Sequence, residues 1–238
     1  MKKNRKILSI GAVLALFCLF APATLPAAAT TCGVTTFDTY LVSGFTCQTG
    51  GIEFSGFGFS SVGVPTGVAP PASGVIVTPI TTDGNVGFRW HLGLGGATQP
   101  NGSSMFQDVL LTYTATALPG TKITDLHLFF NGGFTGTGAT AVTENYCLNG
   151  PLLGCAPENA GQISTTNPPA NFNDAAFFPG VDSISVSKDV LCISGTDGTC
   201  NISHVENTVS YGDVPEPATL ALVGFALVGA GLFHRWRQ

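Results

Sequence analysis

The chain has 238 residues, only 10% of them charged, with 44% hydrophobic and 10% aromatic side chains and a formal net charge of −5. Between residues 30 and 213 there are three basic side chains (Arg89, Lys122 and Lys188) and thirteen acidic ones, a local balance of −10. So acidic a surface repels phosphate backbones and excludes nucleic acid as a partner, while the high apolar content excludes disorder.

The chain opens on Met1-Lys2-Lys3-Asn4-Arg5-Lys6, then an apolar run from Ile7 to about Phe20, then Pro26-Ala27-Ala28-Ala29. A basic start, an apolar middle and a small-residue site predict a secretory signal peptide over residues 1–29, cleaved after Ala29. The alternative is an uncleaved N-terminal anchor. Cys18 leaves with the signal, and six cysteines remain.

These six fall into local pairs: Cys32 with Cys47, Cys147 with Cys155, and Cys192 with Cys200. An even count in an exported chain reads as disulfides, and fifteen connectivities are open in principle. The local pairing is favoured, because CLNGPLLGC and CISGTDGTC share one spacing and each holds two glycines. Short hairpins stapling neighbouring strands would bring such cysteines together. No C-x-x-C occurs and no histidine is close to a pair, so no metal site and no cofactor is expected.

From Cys32 onward helix signals are almost absent and short β-type runs recur between turn residues. "GIEFSGFGFSSVG" spaces Phe54, Phe57 and Phe59 with small residues. "GVIVTPI" and "NVGFRWHLGL" follow. From Gln107 to Ala117, Leu111, Tyr113 and Ala115 alternate with Thr112, Thr114 and Thr116. From Lys122 to Asn131, Leu126, Leu128 and Phe130 alternate with Asp125, His127 and Phe129. "TAVTENYCL", "DSISVSKDVLCI" and "CNISHVENTVSY" complete the run, with Ile184 and Val186 set against Ser183, Ser185 and Ser187. The polar stretch "APENAGQISTTNPPANFND" between the last strands reads as a long solvated loop. The whole predicts an all-β, antiparallel β-sandwich over residues 30–213.

The middle of the chain shows no catalytic constellation: no G-x-S-x-G, no H-E-x-x-H, no phosphate-binding glycine loop. His91, His127 and His204 fall in strands, where polar-face positions are the expected reading. Asp83 and Asp197 stand before glycines as hairpin-turn residues, without the ligand spacing of a calcium loop. Trp90, Tyr113 and Phe106 could form a platform for sugar rings, but their apolar strand context favours core packing. No enzyme is expected, although a hydrolase with a site built by long-range contacts is an alternative.

The last stretch, residues 214–238, opens on Val214-Pro215-Glu216-Pro217 and continues uncharged from Ala218 to Phe233. As a helix those residues reach about 24 Å against a hydrocarbon layer of about 30 Å, enough to span marginally, so residues 214–238 are predicted to hold a C-terminal transmembrane helix. Pro217 suits a first helical turn, and Arg235 and Arg237 provide a basic stop that favours a cytoplasmic C-terminus. This arrangement resembles the PEP-CTERM sorting signal of bacterial exported proteins. The family's arginine cluster is here interrupted, as His234-Arg235-Trp236-Arg237. The resemblance implies a Gram-negative bacterium and a transient stay in the inner membrane. It also implies recognition and cleavage near Pro215-Glu216-Pro217 by an exosortase, and delivery to the cell surface or an exopolysaccharide or biofilm matrix. With no catalytic set in the middle, the expected role is a structural or binding protein whose partners are exopolysaccharide or matrix proteins. A permanently membrane-anchored binding module is the other alternative.

Overall fold

The computed structural model describes residues 30–65, 68–82 and 84–213. The predicted signal peptide, the predicted C-terminal helix and Asp83 lie outside them. In chain order the strands are β1 (Thr35–Thr36), β2 (Cys47–Thr49), β3 (Ile52–Val64), β4 (Ile76–Thr82), β5 (Asn85–Ala97) and β6 (Phe106–Ala117). They continue with β7 (Thr121–Gly136), β8 (Ala139–Leu148), β9 (Ala160–Asn167), β10 (Asn173–Val181), β11 (Ser183–Ile193) and β12 (Gly198–Asp213). One α-helical turn, α1 (Phe37–Tyr40), and a 3-10 turn at Ala72–Gly74 are the helical elements among the described residues, none of which is long and apolar enough to cross a membrane.

The strands form two six-stranded sheets in the orders β1-β4-β5-β12-β7-β10 and β2-β3-β6-β11-β8-β9, with every named strand pair antiparallel. The alternations read from the sequence set the two inner faces. Leu111, Tyr113 and Ala115 of β6 are buried, as are Leu126, Leu128 and Phe130 of β7 and Ile184 and Val186 of β11. Period-two patterning sends alternate side chains to opposite faces, so these residues of both sheets meet in one core. In β12 the register slips between Ile202 and His204. That bulge keeps Ile202 and Val205 both inward and turns His204 outward.

Aromatic rings fill one end of the core. Phe88 of β5 lies 4.7 Å from Phe54 of β3, 5.6 Å from Trp90 and 6.2 Å from Tyr113 between ring centroids. A slip in β3 between Ser55 and Gly58 changes the phase of its alternation. Phe57 and Phe59 then pack against the α1 ring of Phe37 at 6.2 and 5.8 Å. The glycines between these phenylalanines allow that slip: Gly56 has φ 63°, a conformation glycine adopts without strain.

All three local disulfides are formed, with Cα–Cα distances of 4.8 Å for Cys32–Cys47, 5.9 Å for Cys147–Cys155 and 5.6 Å for Cys192–Cys200. Each closes a short loop, worth about 2–3 kcal/mol in the chain-entropy account. Neither the second nor the third is the hairpin staple that its spacing suggests: Cys147–Cys155 ties the end of β8 to the loop that follows it. Cys192 is on β11 and Cys200 on β12, and these strands belong to different sheets. The bond therefore rivets the two sheets together.

The polar stretch expected to be a solvated loop is largely β-structure. Ala160–Asn167 forms β9 and pairs with β8, placing Ile163 opposite Glu144. Ile163 and Thr165 point inward while Gln162 and Asn171 stay in solvent. An edge strand has one free side and tolerates polar residues and flanking prolines, which hid it from a pattern based on hydrophobicity.

Candidate functional site

The outer face of the sheet containing β5, β12 and β7 carries a cluster of charged, imidazole and aromatic side chains. Register aligns Thr78, Arg89, Glu206 and Phe129 across four strands. The next row holds His91, His204 and Asn131, and a row on the other side holds Thr208, His127 and Ala175. Arg89 Nε donates to Glu206 Oε1 at 2.7 Å. His204 Nε2 lies 3.4 Å from the same oxygen, and its ring centroid is 5.9 Å from His91 and 6.0 Å from Phe129. Burial holds the His204 imidazole below its ordinary pKa, and the Arg89 charge pushes the same way. His127 Nε2 is 3.2 Å from Asp125 Oδ1 and packs against Phe177 at 5.8 Å. Phe177 is 76% exposed and Phe129 38%. All three strand histidines therefore occupy the polar face expected of them.

The aromatic trio weighed as a sugar platform does not form one. Trp90 and Tyr113 are core residues, and the half-buried Phe106 stands at the start of β6. Two rings exposed on this outer face could stack on a sugar instead: Phe129, which the alternation of β7 sets in phase with His127, and Phe177, whose strand the sequence pattern did not reveal.

On the outer face of the other sheet an open depression is lined by Ser60, Ser61, Val62, Asp108, Leu110 and Asp189. Asp108 is pushed from the ordinary 3.8 up to about 6, first by burial and then by a hydrogen bond and charge repulsion from Asp189. A carboxyl beside a second carboxylate holds its proton longer, because charging both is costly. Since the folded pKa lies above the unfolded one, the fold holds the extra proton. The stabilisation is present below about pH 4 and is lost as pH rises through about 6. Replacing Asp108 with Asn should flatten the thermal-stability profile between pH 4 and 6. An unchanged slope in melting temperature against pH would contradict the raised Asp108 pKa.

A second set of charged groups is inside the core. Lys188 of β11 and Glu144 of β8 are both fully buried and ion-paired, Lys188 Nζ donating to Glu144 Oε2. Asn207 of β12 donates from Nδ2 to Glu144 Oε1 at 3.0 Å and to the His127 carbonyl at 2.6 Å, and accepts from the Tyr113 hydroxyl at Oδ1. Lys188 Nζ also stands 5.4 Å above the Trp90 ring. Burial lowers the Lys188 pKa and raises those of Glu144 and Tyr113. Among the described residues no group of three or more His, Cys, Asp or Glu side chains gathers to hold a metal ion.

The fold and these surfaces define a disulfide-stapled, two-sheet β-sandwich. Residues 213–237 match the family model described as the PEP-CTERM protein-sorting motif. The chain thus carries a PEP-CTERM protein-sorting motif, which implies export, surface sorting and processing by an exosortase. Val214, Pro215, Glu216, Pro217, Arg235 and Arg237 all fall within the match and outside the described residues. No curated protein matches the chain. Two solved structures align with 66% of it. The structure of TmCBM61 in complex with beta-1,4-galactotriose is 11% identical, aligned over 88% of its own chain with a TM-score of 0.32. The enzymatically active domain of tailspike protein 4 of bacteriophage CBA120 is 17% identical with a TM-score of 0.26, and the alignment spans 19% of that chain. Scores that low carry no weight for this chain's fold or function.

Proposed function

We propose that the β-sandwich is a non-catalytic binding or structural module of the cell surface or extracellular matrix of a Gram-negative bacterium. It is held in the inner membrane by its C-terminal helix until an exosortase acts. The observation that carries this reading is the outer face on which Phe129 and Phe177 stand exposed among His91, His127, His204, Arg89 and Glu206. Aromatic rings suit the apolar faces of sugar rings, and the flanking side chains can hydrogen-bond hydroxyls. The acidic surface disfavours polyanions, so neutral exopolysaccharide is the preferred partner.

Mature protein should co-sediment with secreted neutral polysaccharide. The Phe129→Ala/Phe177→Ala double variant should bind about tenfold more weakly or worse, as expected when two stacking anchors are removed. Binding that is unaffected by the double variant would overturn the assignment of this face.

The hydrolase reading draws on one observation, the neighbouring Asp108 and Asp189 carboxyls in an open depression. Glycosidase carboxylates stand several ångströms apart with the sugar between them, whereas this pair is hydrogen-bonded to itself. Steady turnover of a glycoside, ester or peptide substrate that Asp108→Asn abolishes would establish the enzyme instead.

Sorting is tested separately. Glu216→Ala with Pro217→Ala should leave an unprocessed, membrane-held precursor. Maturation of that variant to normal size would favour a permanently anchored module.

A further inference from the structure

Lys188, Glu144, Asn207 and Tyr113 form a closed group of reactive side chains in a dry core, drawn from both sheets and unused by any surface function. One carboxylate joins an amine to an amide. Glu144 Oε2 receives Lys188 Nζ, while Oε1 receives Asn207 Nδ2 at 3.0 Å. The Tyr113 hydroxyl donates to Asn207 Oδ1, the oxygen on which negative charge would develop if the amide carbon were attacked. Lys188 and Glu144 have no exposed surface. We propose that Lys188 and Asn207 condense to an intramolecular amide that joins the two sheets covalently, with Glu144 as the proton carrier.

The chemistry closes without a co-reactant. Lys188 passes a proton to Glu144, which burial favours because it penalises both charged forms. The freed Nζ lone pair attacks Asn207 Cγ, forming the C–N bond as the carbonyl electrons move to Oδ1 under the Tyr113 hydroxyl. The carbonyl re-forms and the bond from Cγ to Nδ2 breaks, Nδ2 leaving as ammonia after taking a proton through Glu144. Of the three hydrogens on the original ammonium, one stays on the amide nitrogen and one departs in the ammonia. The third remains on Glu144. The core then holds no formal charge, which removes the standing desolvation cost of a buried ion pair. Asn207 is the better electrophile because a side-chain amide can depart as ammonia while the carboxylate is needed to move protons.

Placement supports a cross-link with a purpose. The Cys192–Cys200 disulfide already joins β11 to β12, and Lys188 and Asn207 lie on the same two strands farther from that turn. The amide would be a second rivet, and one that reduction cannot open.

The test is the mass of the mature protein, purified after export and reduced in denaturant. The expected result is a chain lighter than its sequence by one ammonia, with a proteolytic peptide bearing Lys188 linked to one bearing Asn207. Locating the link distinguishes the cross-link from ammonia lost by succinimide formation at another asparagine. Glu144→Gln keeps the shape but cannot carry the proton, and should give the full mass with a free Lys188 amine. If that variant does not fold, the wild-type mass still decides. A full-mass wild-type chain whose Lys188 is acylated freely after denaturation overturns the proposal. So does a chain lighter by one water, with Lys188 joined to Glu144.

Discussion

Glu144→Ala is expected to lower the free energy of unfolding by about 3–5 kcal/mol, because it strands a buried ammonium without its counter-charge. Lys188 has no exposed surface and its Nζ has Glu144 as its hydrogen-bonding partner. The indole face of Trp90 at 5.4 Å offsets only part of that loss. Asn207 Nδ2 keeps the His127 carbonyl, so the amide is not orphaned by the same change. The contrast is Arg89→Ala. Arg89 makes a well-formed pair with Glu206, but its side chain is 42% exposed, and solvent screening limits such a pair to about 0–1 kcal/mol. Denaturant unfolding with the disulfides intact compares the two variants directly. Where the Lys188–Asn207 amide has closed, the Glu144 figure becomes a lower bound, because the variant also loses the cross-link. Equal losses in the two variants would mean that Lys188 finds water in the folded state, contrary to its burial.

The legibility of this group in the sequence shows where pattern reading succeeds and where it stops. β11 runs Ile184, Val186, Lys188, Val190, Cys192 in one phase, and the lysine is the single charge in it. Glu144 stands in phase with Val142 in the same way. A charge in the inward phase of a strand is a detectable signal, but its partner cannot be read, since Glu144 is 44 positions from Lys188 in sequence and Asn207 is 63 from Glu144. The strands β6, β7, β11 and β12 were legible because half of their side chains face a dry core and half do not. β9 was not, since its inward residues are only Ile163 and Thr165 amid prolines and asparagines. The cysteine pairs followed from spacing, but the sheet-to-sheet span of Cys192–Cys200 needed the strand order. Phe129 and Phe177 differ from core phenylalanines only in which face of a sheet they occupy, and for Phe177 the β10 strand that sets the face was itself unread. The sorting segment was the most legible element, because its recognition depends on local chemistry rather than on the fold.

Phe88→Ala should cost about 3–5 kcal/mol, the range for truncating a large core aromatic, where the lost transfer energy is joined by a cavity that neighbours only partly fill. Phe88 is fully buried, and its ring stands within 4.7–6.2 Å of Phe54, Tyr40, Trp90, Phe57 and Tyr113. Those neighbours come from both sheets and from α1, so no single element can move to close the gap without pulling away from another. Edge-to-face geometry with Tyr40 at 83° and Phe57 at 73° adds an electrostatic component that a smaller aliphatic residue would not replace. Phe177→Ala serves as the control. That ring is 76% exposed on β10, and its loss should change stability by no more than about 0.5 kcal/mol while weakening polysaccharide binding. The two phenylalanines thus separate the roles of the sandwich, one holding the sheets together and the other available to a ligand. A small cost at Phe88 would mean that the aromatic end of the core repacks freely. The precise placement of Tyr113 over Asn207, on which the cross-linking chemistry depends, would then lose its rigid support.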